Sequence, residues 1–274
     1  MAAGMLAGLG AAPALADHHA NGTHAEMHAS HMALRSVLES DVRAQDAARD
    51  QYRHPFETLT FFGVEPGMSV VDYMPASGWY TRVLVPYLGA EGRYIGLTPD
   101  PDAADGERFS GYFAGLPDAF TKASPGWGLS GAPMTIHHSG DVPESMAGTV
   151  DRVLIFREMH NLLRSGALYT ELTRIRSMLK DDGRLGIVQH RAKEDAPGDY
   201  TLGNAGYLRQ SDVIAMVEAH GFRLVGMSDV NANPADPADW EGGVWTLPPG
   251  NRGDDPRAAA TGESDRMTLL FAKR

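Results

Sequence analysis

A carboxylate closes an apolar run, and a tight turn of small residues follows. Val70-Val71-Asp72-Tyr73 leads into Met74-Pro75-Ala76-Ser77-Gly78, and Trp79-Tyr80-Thr81 then opens a helix. Residues of these types in this order predict a strand, a short loop and a helix start, the arrangement that holds a nucleoside at the edge of an open α/β sheet. The dinucleotide fingerprint G-x-G-x-x-G is absent, and Gly78 alone stands where such loops commonly carry two or three glycines. Gly78 lets backbone approach a ligand, whereas Pro75 removes a donor and stiffens the turn.

A second group, Phe156-Arg157-Glu158-Met159-His160-Asn161, leaves a later apolar run. Arg, Glu, His and Asn gathered at one strand end suit a functional loop. The reference pKa of His160 lies near neutrality, so it can act as general base toward a hydroxyl or an amine. Arg157 and Asn161 can orient a substrate or its carboxylate; in the plainer reading Arg157 pairs with Glu158 and His160 only packs. Asp100 follows the next predicted strand and can accept both hydroxyls of a ribose. Asp141, after Ser139-Gly140 and beside Val142, ends a third. Arg191 shares the rim of the fifth, to grip an anion or to form a salt bridge. There is no G-x-S-x-G, no H-E-x-x-H and no cysteine, which excludes a nucleophile elbow, a zincin helix, disulfides and thiolate metal sites.

Alternating elements must position these groups. Strands are predicted over 69–74, 92–97, 134–138, 150–156, 184–190, 222–228 and 267–272, with helices over 79–88, 166–179 and 210–220 and a loosely helical stretch ending near 120. Repeated β-α units imply a parallel sheet covered on both faces. The last two strands flank a Pro/Gly/Asp-rich insertion over 229–265, which fits a final antiparallel strand. In the insertion, Trp240 and Trp245 serve as a lid or as anchors. Residues 34–52 read as one amphipathic helix, 57–63 as a connector, and Asp265-Arg266 as an ion pair holding the tail.

The net charge of −11 argues against a nucleic-acid partner, which needs clustered Lys and Arg. No basic amphipathic stretch suggests membrane attachment. Residues 1–16 are apolar and end in Ala14-Leu15-Ala16, a signal-peptide-like segment too short to span a bilayer. It predicts a periplasmic or secreted protein; without export the protein would be cytoplasmic. Residues 17–33 read as a flexible leader rich in His and Met. His24, His28 and His31 would align on one helix face and could bind a transition metal weakly, though a solvated linker explains them as well. The main domain is expected over 34–274.

Three segments carry a resemblance: Gly78-Trp79-Tyr80-Thr81; Phe156-Arg157-Glu158-Met159-His160-Asn161; and Val244-Trp245-Thr246-Leu247-Pro248-Pro249 with Gly262-Glu263-Ser264-Asp265-Arg266-Met267-Thr268-Leu269. Over residues 34–274 the chain resembles the class I S-adenosylmethionine (SAM)-dependent methyltransferases, and within them a bacterial group of exported predicted methyltransferases. The resemblance implies a Rossmann-like three-layer sandwich with a mostly parallel seven-stranded sheet and a final antiparallel strand. It implies SAM as cofactor and methyl transfer to a small molecule. Asp72, with Tyr73 and Gly78, would serve the amino-acid moiety of the cofactor, Asp100 its ribose, and Asp141 with Val142 its adenine. His160, Asn161 and Arg157 would face the acceptor, and no resident metal is implied. The alternative is an exported non-catalytic module, nucleoside-binding or metal-associated, on the same fold.

Overall fold

The computed structural model describes residues 23–274. The signal-like segment and His18 and His19 lie outside them. Seven strands, β1 (Ser69–Tyr73), β2 (Arg93–Thr98), β3 (Met134–His138), β4 (Val150–Phe156), β5 (Leu179–His190), β6 (Phe222–Ser228) and β7 (Arg266–Lys273), form one sheet in the order β3-β2-β1-β4-β5-β7-β6. Strands β1 to β5 pair in parallel, whereas β7 runs antiparallel between β5 and β6. This is the predicted three-layer fold with its antiparallel strand. Every residue of β1 is buried, because a central parallel strand is covered on both faces.

The helices are α1 (His24–Leu38), α2 (Asp50–Arg53), α3 (Pro55–Phe61), α4 (Thr81–Leu88), α5 (Glu107–Ala114), α6 (Leu116–Ala123), α7 (Met159–Arg164), α8 (Leu168–Met178), α9 (Gln210–Ala219) and α10 (Arg257–Thr261). Leu34, Leu59, Val83 and Phe120 bring α1, α3, α4 and α6 onto one face of the sheet. Phe113, Leu162, Ile175 and Val213 bring α5, α7, α8 and α9 onto the other. Each such buried side chain contributes roughly 2 kcal/mol of transfer free energy.

Where elements differ from expectation, capping and tertiary contacts explain it. Helix α1 starts at His24, inside the stretch read as a flexible leader. Thr23 and Glu26 form a reciprocal capping box, and the Ser30 hydroxyl lies 2.7 Å from that of Tyr87. His31 packs edge-on against Phe56 at 5.4 Å, and among the described residues no three His, Cys, Asp or Glu gather to hold a metal. The helix predicted over 34–52 breaks after Leu38. Arg43 is fully buried there, donating to the Leu38 carbonyl at 3.1 Å and to both Asp50 oxygens at 2.7 and 3.0 Å. Reaching those acceptors folds the chain back through short 3₁₀ turns. The expected connector is α3, whose first turn accommodates Pro55 because its missing N–H has no helical partner there.

The insertion is a packed lobe. Asp236, fully buried, accepts from the Tyr207 hydroxyl and Trp240 Nε1 at 2.8 Å, and from the Ala238 and Asp265 N–H groups at 2.9 and 2.8 Å. Trp240 anchors this lobe. Asp265 pairs with Arg191, not with Arg266, and Arg266 bonds Glu263. Replacing Asp236 with Ala strands four donors in the interior. Asp236→Ala is expected to lower the unfolding free energy by about 3 kcal/mol, read by urea denaturation.

Candidate active site

Strand order reverses between β1 and β4, and the carboxyl ends of these strands are the place where open α/β sheets bind ligands. The β1–α4 turn borders it. Met74, Ala76 and Gly78 adopt φ of 53°, 49° and 77°. Three left-handed residues at alternate positions give the turn the backbone shape of a G-x-G-x-G loop, although two of the three carry side chains. Each non-glycine residue there costs about 1–2 kcal/mol. The Met74 N–H donates to the Leu97 carbonyl at 2.7 Å and the Gly78 N–H to that of Pro75 at 2.9 Å, which hold the turn. Gly78 is also sterically required: a Cβ there would stand 2.5 Å from the Trp127 ring. The close approach predicted for a ligand at Gly78 is made by Trp127.

The predicted cofactor residues divide between the two faces of the sheet. Asp72 turns toward α4, where its carboxyl accepts from the Tyr94 hydroxyl at 2.9 Å and is almost fully buried. Burial pushes its pKa up to about 7, against the pull of Tyr94, Arg157 and Thr81. Tyr73 turns the other way and donates to Glu171 on α8 at 2.9 Å. Glu171 also accepts from the Ser139 hydroxyl at 2.6 Å and the Asp100 N–H at 3.1 Å. Asp100 accepts from Arg174 at 2.7 Å and from the Asp102 N–H at 3.0 Å. A Cβ on Gly140 would lie 2.5 Å from the Asp100 carboxylate, so the β2 and β3 ends converge. Asp141 is exposed just beyond, and Val142 packs against the core below α5. Glu171 thus joins Tyr73 and Asp100, Asp141 and Val142 follow Gly140 beside Asp100, and Asp72 is directed to the other face.

The β4 loop lies at the neighbouring strand end. Arg157 and Glu158 do not pair. Glu158 is partly buried and accepts from Asn161 Nδ2 at 2.5 Å, with its second oxygen unbonded among the described residues. Burial raises its pKa to about 7, opposed by Asn161 and by the charges of Arg157 and Arg164. His160 lies 5.9 Å from the Trp245 ring and 5.8 Å from His190, with Nδ1 3.5 Å from Gln189 Oε1. Burial lowers its pKa to about 4, helped by Arg164 and Arg157, so it is neutral at pH 7 and a weak base. Glu158 is better matched to proton transfer near neutrality. The sequence places Glu158 in a functional strand-end loop but gives the role of base to His160, and the place of Glu158 in the β4 loop was the available signal. Glu171 and Arg174 had no such signal, because α8 reaches Asp100 only through the fold. The two cavities described among these residues lie elsewhere, the larger, of about 240 Å³, being bordered by Ser36, Val42, Pro86 and Leu129.

No protein-family model and no curated protein matches the chain. Solved structures do match its fold. A SAM-dependent methyltransferase from Aquifex aeolicus is 16% identical, with a TM-score of 0.51 over 88% of this chain and 98% of that one. A chain from the Haloferax volcanii complex between the Trm112 methyltransferase activator and a methyltransferase is 13% identical, with a TM-score of 0.51 over 88% and 96%. The sheet order, the antiparallel β7 and these likenesses define the Rossmann-like fold of class I methyltransferases.

Asp72 links this site to stability. Its folded-state pKa is raised, so between about pH 4 and about pH 7 the folded chain holds a proton that the unfolded chain has released. That stabilisation is complete below the lower value and is lost as pH rises through the upper one. Unfolding free energy is expected to fall by a few kcal/mol across this window, and Asp72→Asn to flatten the decline. Denaturant titrations at several pH values check it; an unchanged slope in the variant would show that Asp72 is not responsible.

Proposed function

We propose that the chain is a SAM-dependent methyltransferase acting on a small molecule. The observation that carries this reading is the left-handed triplet Met74, Ala76 and Gly78, set at the strand-order reversal of a methyltransferase-type sheet. The donor set fits the cofactor. Asp100 offers carboxylate oxygens to ribose hydroxyls, Asp141 offers one to the adenine amino group, and Val142 provides an apolar contact. Bound there, SAM supplies a methyl group already activated by its sulfonium.

The chain's own residues then bind and orient the acceptor and take up its proton. The β1 and β4 loops align the acceptor with the methyl group. Glu158 takes the proton released by the acceptor's hydroxyl or amine. Neutral His160 and Asn161 orient the acceptor by hydrogen bonds. The segment entering α5 is held by the Asp105 N–H, which donates to the Ser165 carbonyl at 2.7 Å, and α5 is anchored by Phe113 in the cluster that includes Met74, Leu97 and Met159.

A second reading, a non-catalytic nucleoside-binding module, is favoured by Asp72, which is committed to Tyr94 and turned away from Tyr73. Calorimetric titration with S-adenosylhomocysteine separates the readings. We expect saturable binding, weakened about tenfold or more by Asp100→Ala, the equivalent of one lost charge-assisted hydrogen bond. We expect Glu158→Gln to lower kcat by roughly 10²–10⁴ with binding intact. Binding without turnover supports the second reading, and silence toward both SAM and its product removes the first. Export is a separate proposal, and a mass spectrum of secreted material tests it: a mature N-terminus at Asp17 is the expected result.

A further inference from the structure

Two guanidiniums border the strand ends without an acceptor. Arg53, at the end of α2, is 5% exposed, and its guanidinium makes no hydrogen bond within the described residues. Its nearest carboxylate contact is Nε to Glu263 Oε2 at 3.5 Å, while its cation lies 4.6 Å from the Trp79 ring centre. Arg157 leaves β4 in a left-handed conformation, with φ of 64°. Among the described residues its side chain has neither a hydrogen bond nor an ion-pair partner.

The sheet brings further charge to this place. The Arg157 N–H donates to the Val188 carbonyl at 2.6 Å, and two residues further along β5 His190 pairs in register with Arg266. Arg266, 2% exposed, bonds Glu263 and donates to the Tyr52 carbonyl at 2.9 Å. Arg49 donates to Glu263 Oε1 at 2.5 Å. Glu263 is thus one carboxylate facing Arg49, Arg53 and Arg266, with the positive charge of Arg157 added. Burial and this mutual repulsion depress the Arg53 and Arg157 pKa values, and hold His190 neutral. Tyr80, stacked on Phe156 at 3.5 Å, lies in the field of the same cations, and its hydroxyl has no hydrogen-bond partner in the described residues.

A purely structural network would distribute these donors differently. Arg266 and Arg152 each reach a backbone carbonyl, as buried arginines ordinarily do. Arg53 and Arg157 reach none. Arg53 Nε is buried without an acceptor, Arg157 is half-buried with its fork unpaired among the described residues, and one carboxylate cannot satisfy four cations. Two planar forks beside a free phenol match the oxygens of a carboxylate or phosphate.

We propose that Arg53, Tyr80, Arg157 and Arg266 bind an oxyanion, a carboxylate or phosphate carried by the methyl acceptor. The acceptor assignment rests on the methyltransferase reading; the anion site does not. With the oxyanion held by Arg157, the rest of the acceptor lies at the β4 loop beside Glu158. The acceptor is then an acid or a phosphate ester bearing a hydroxyl or amine.

Inorganic phosphate and benzoate, titrated separately into the full chain, test this by thermal shift and calorimetry, with and without saturating S-adenosylhomocysteine. Saturable binding is expected, weakened about tenfold or more in Arg157→Gln and Arg53→Gln, since each loses a charge-assisted pair. Exposed Arg223, on β6, serves as the control, and Arg223→Gln should bind as the unaltered chain does. Arg157→Lys keeps the charge without the fork and should lose part of the affinity, which keeps the test readable if the glutamine variant fails to fold. Absence of saturation with both anions, or equal binding by the Arg157 variants, would overturn the site. Displacement of the anion by S-adenosylhomocysteine would overturn the acceptor assignment and give the site to the cofactor's own carboxylate. Anion binding that survives while S-adenosylhomocysteine gives no heat supports the oxyanion site and sinks the methyltransferase reading.

Discussion

The β1–α4 turn is the constraint on which the rest of the molecule depends. A buried strand must hand over to a helix within a few residues at the point where the sheet reverses its order. Only a backbone that alternates through the left-handed region makes that turn. Glycine would adopt it freely, yet Met74 and Ala76 adopt it here. Their strain is offset by surroundings that over-determine the conformation: the Met74 N–H bond to β2, the bond between Gly78 and Pro75, and burial of the Met74 side chain. Trp127 closes against the bare Cα of Gly78 and is crossed by Arg82 at 5.4 Å, which fixes the start of α4. The side chains added to the turn are thus matched by packing around it.

From this turn the strand-end region acquires an electrical polarity. Toward β2 and β3 the groups are acidic: Asp100, Glu171 and Asp141, moderated by Arg174 on α8. Toward β5 and β7 they are cationic, with Arg53, Arg157 and Arg266 about Glu263. Between them lie Asp72 and Glu158, two carboxyls lifted to about 7 chiefly by burial. Burial leaves both poorly solvated, and there a carboxyl can hold or release a proton near neutrality. An elongated ligand with hydroxyls at one end and an acid at the other matches that polarity.

Much of the scaffold was legible in the chain. All seven strands stood out as apolar runs between turn residues, and the Pro/Gly/Asp-rich insertion before the last one was consistent with the antiparallel β7. The start of α1 was signalled by Thr23 and Glu26, a capping pair that the neighbouring histidines obscured. Other features left no local trace. The break after Leu38 answers to Arg43 reaching Asp50, and the grip of α8 on Asp100 joins positions far apart in the chain. His160 read as a base from its type alone, but the dry packing of Trp245 and His190 around it lowers its basicity.

What the sequence determined by itself was periodicity and local backbone preference: which runs become strands, where glycine or proline turns the chain, and which reactive side chains stand at strand ends. Tertiary structure alone decided which way those side chains point and how strongly they hold their protons. Adjacent residues on a strand face opposite sides, so Asp72 joins Tyr94 while Tyr73 joins Glu171, and no local pattern says which side meets the ligand. Burial and long-range charge, which move a carboxyl to about 7, are properties of the packed molecule, because they depend on groups the chain brings together only when folded.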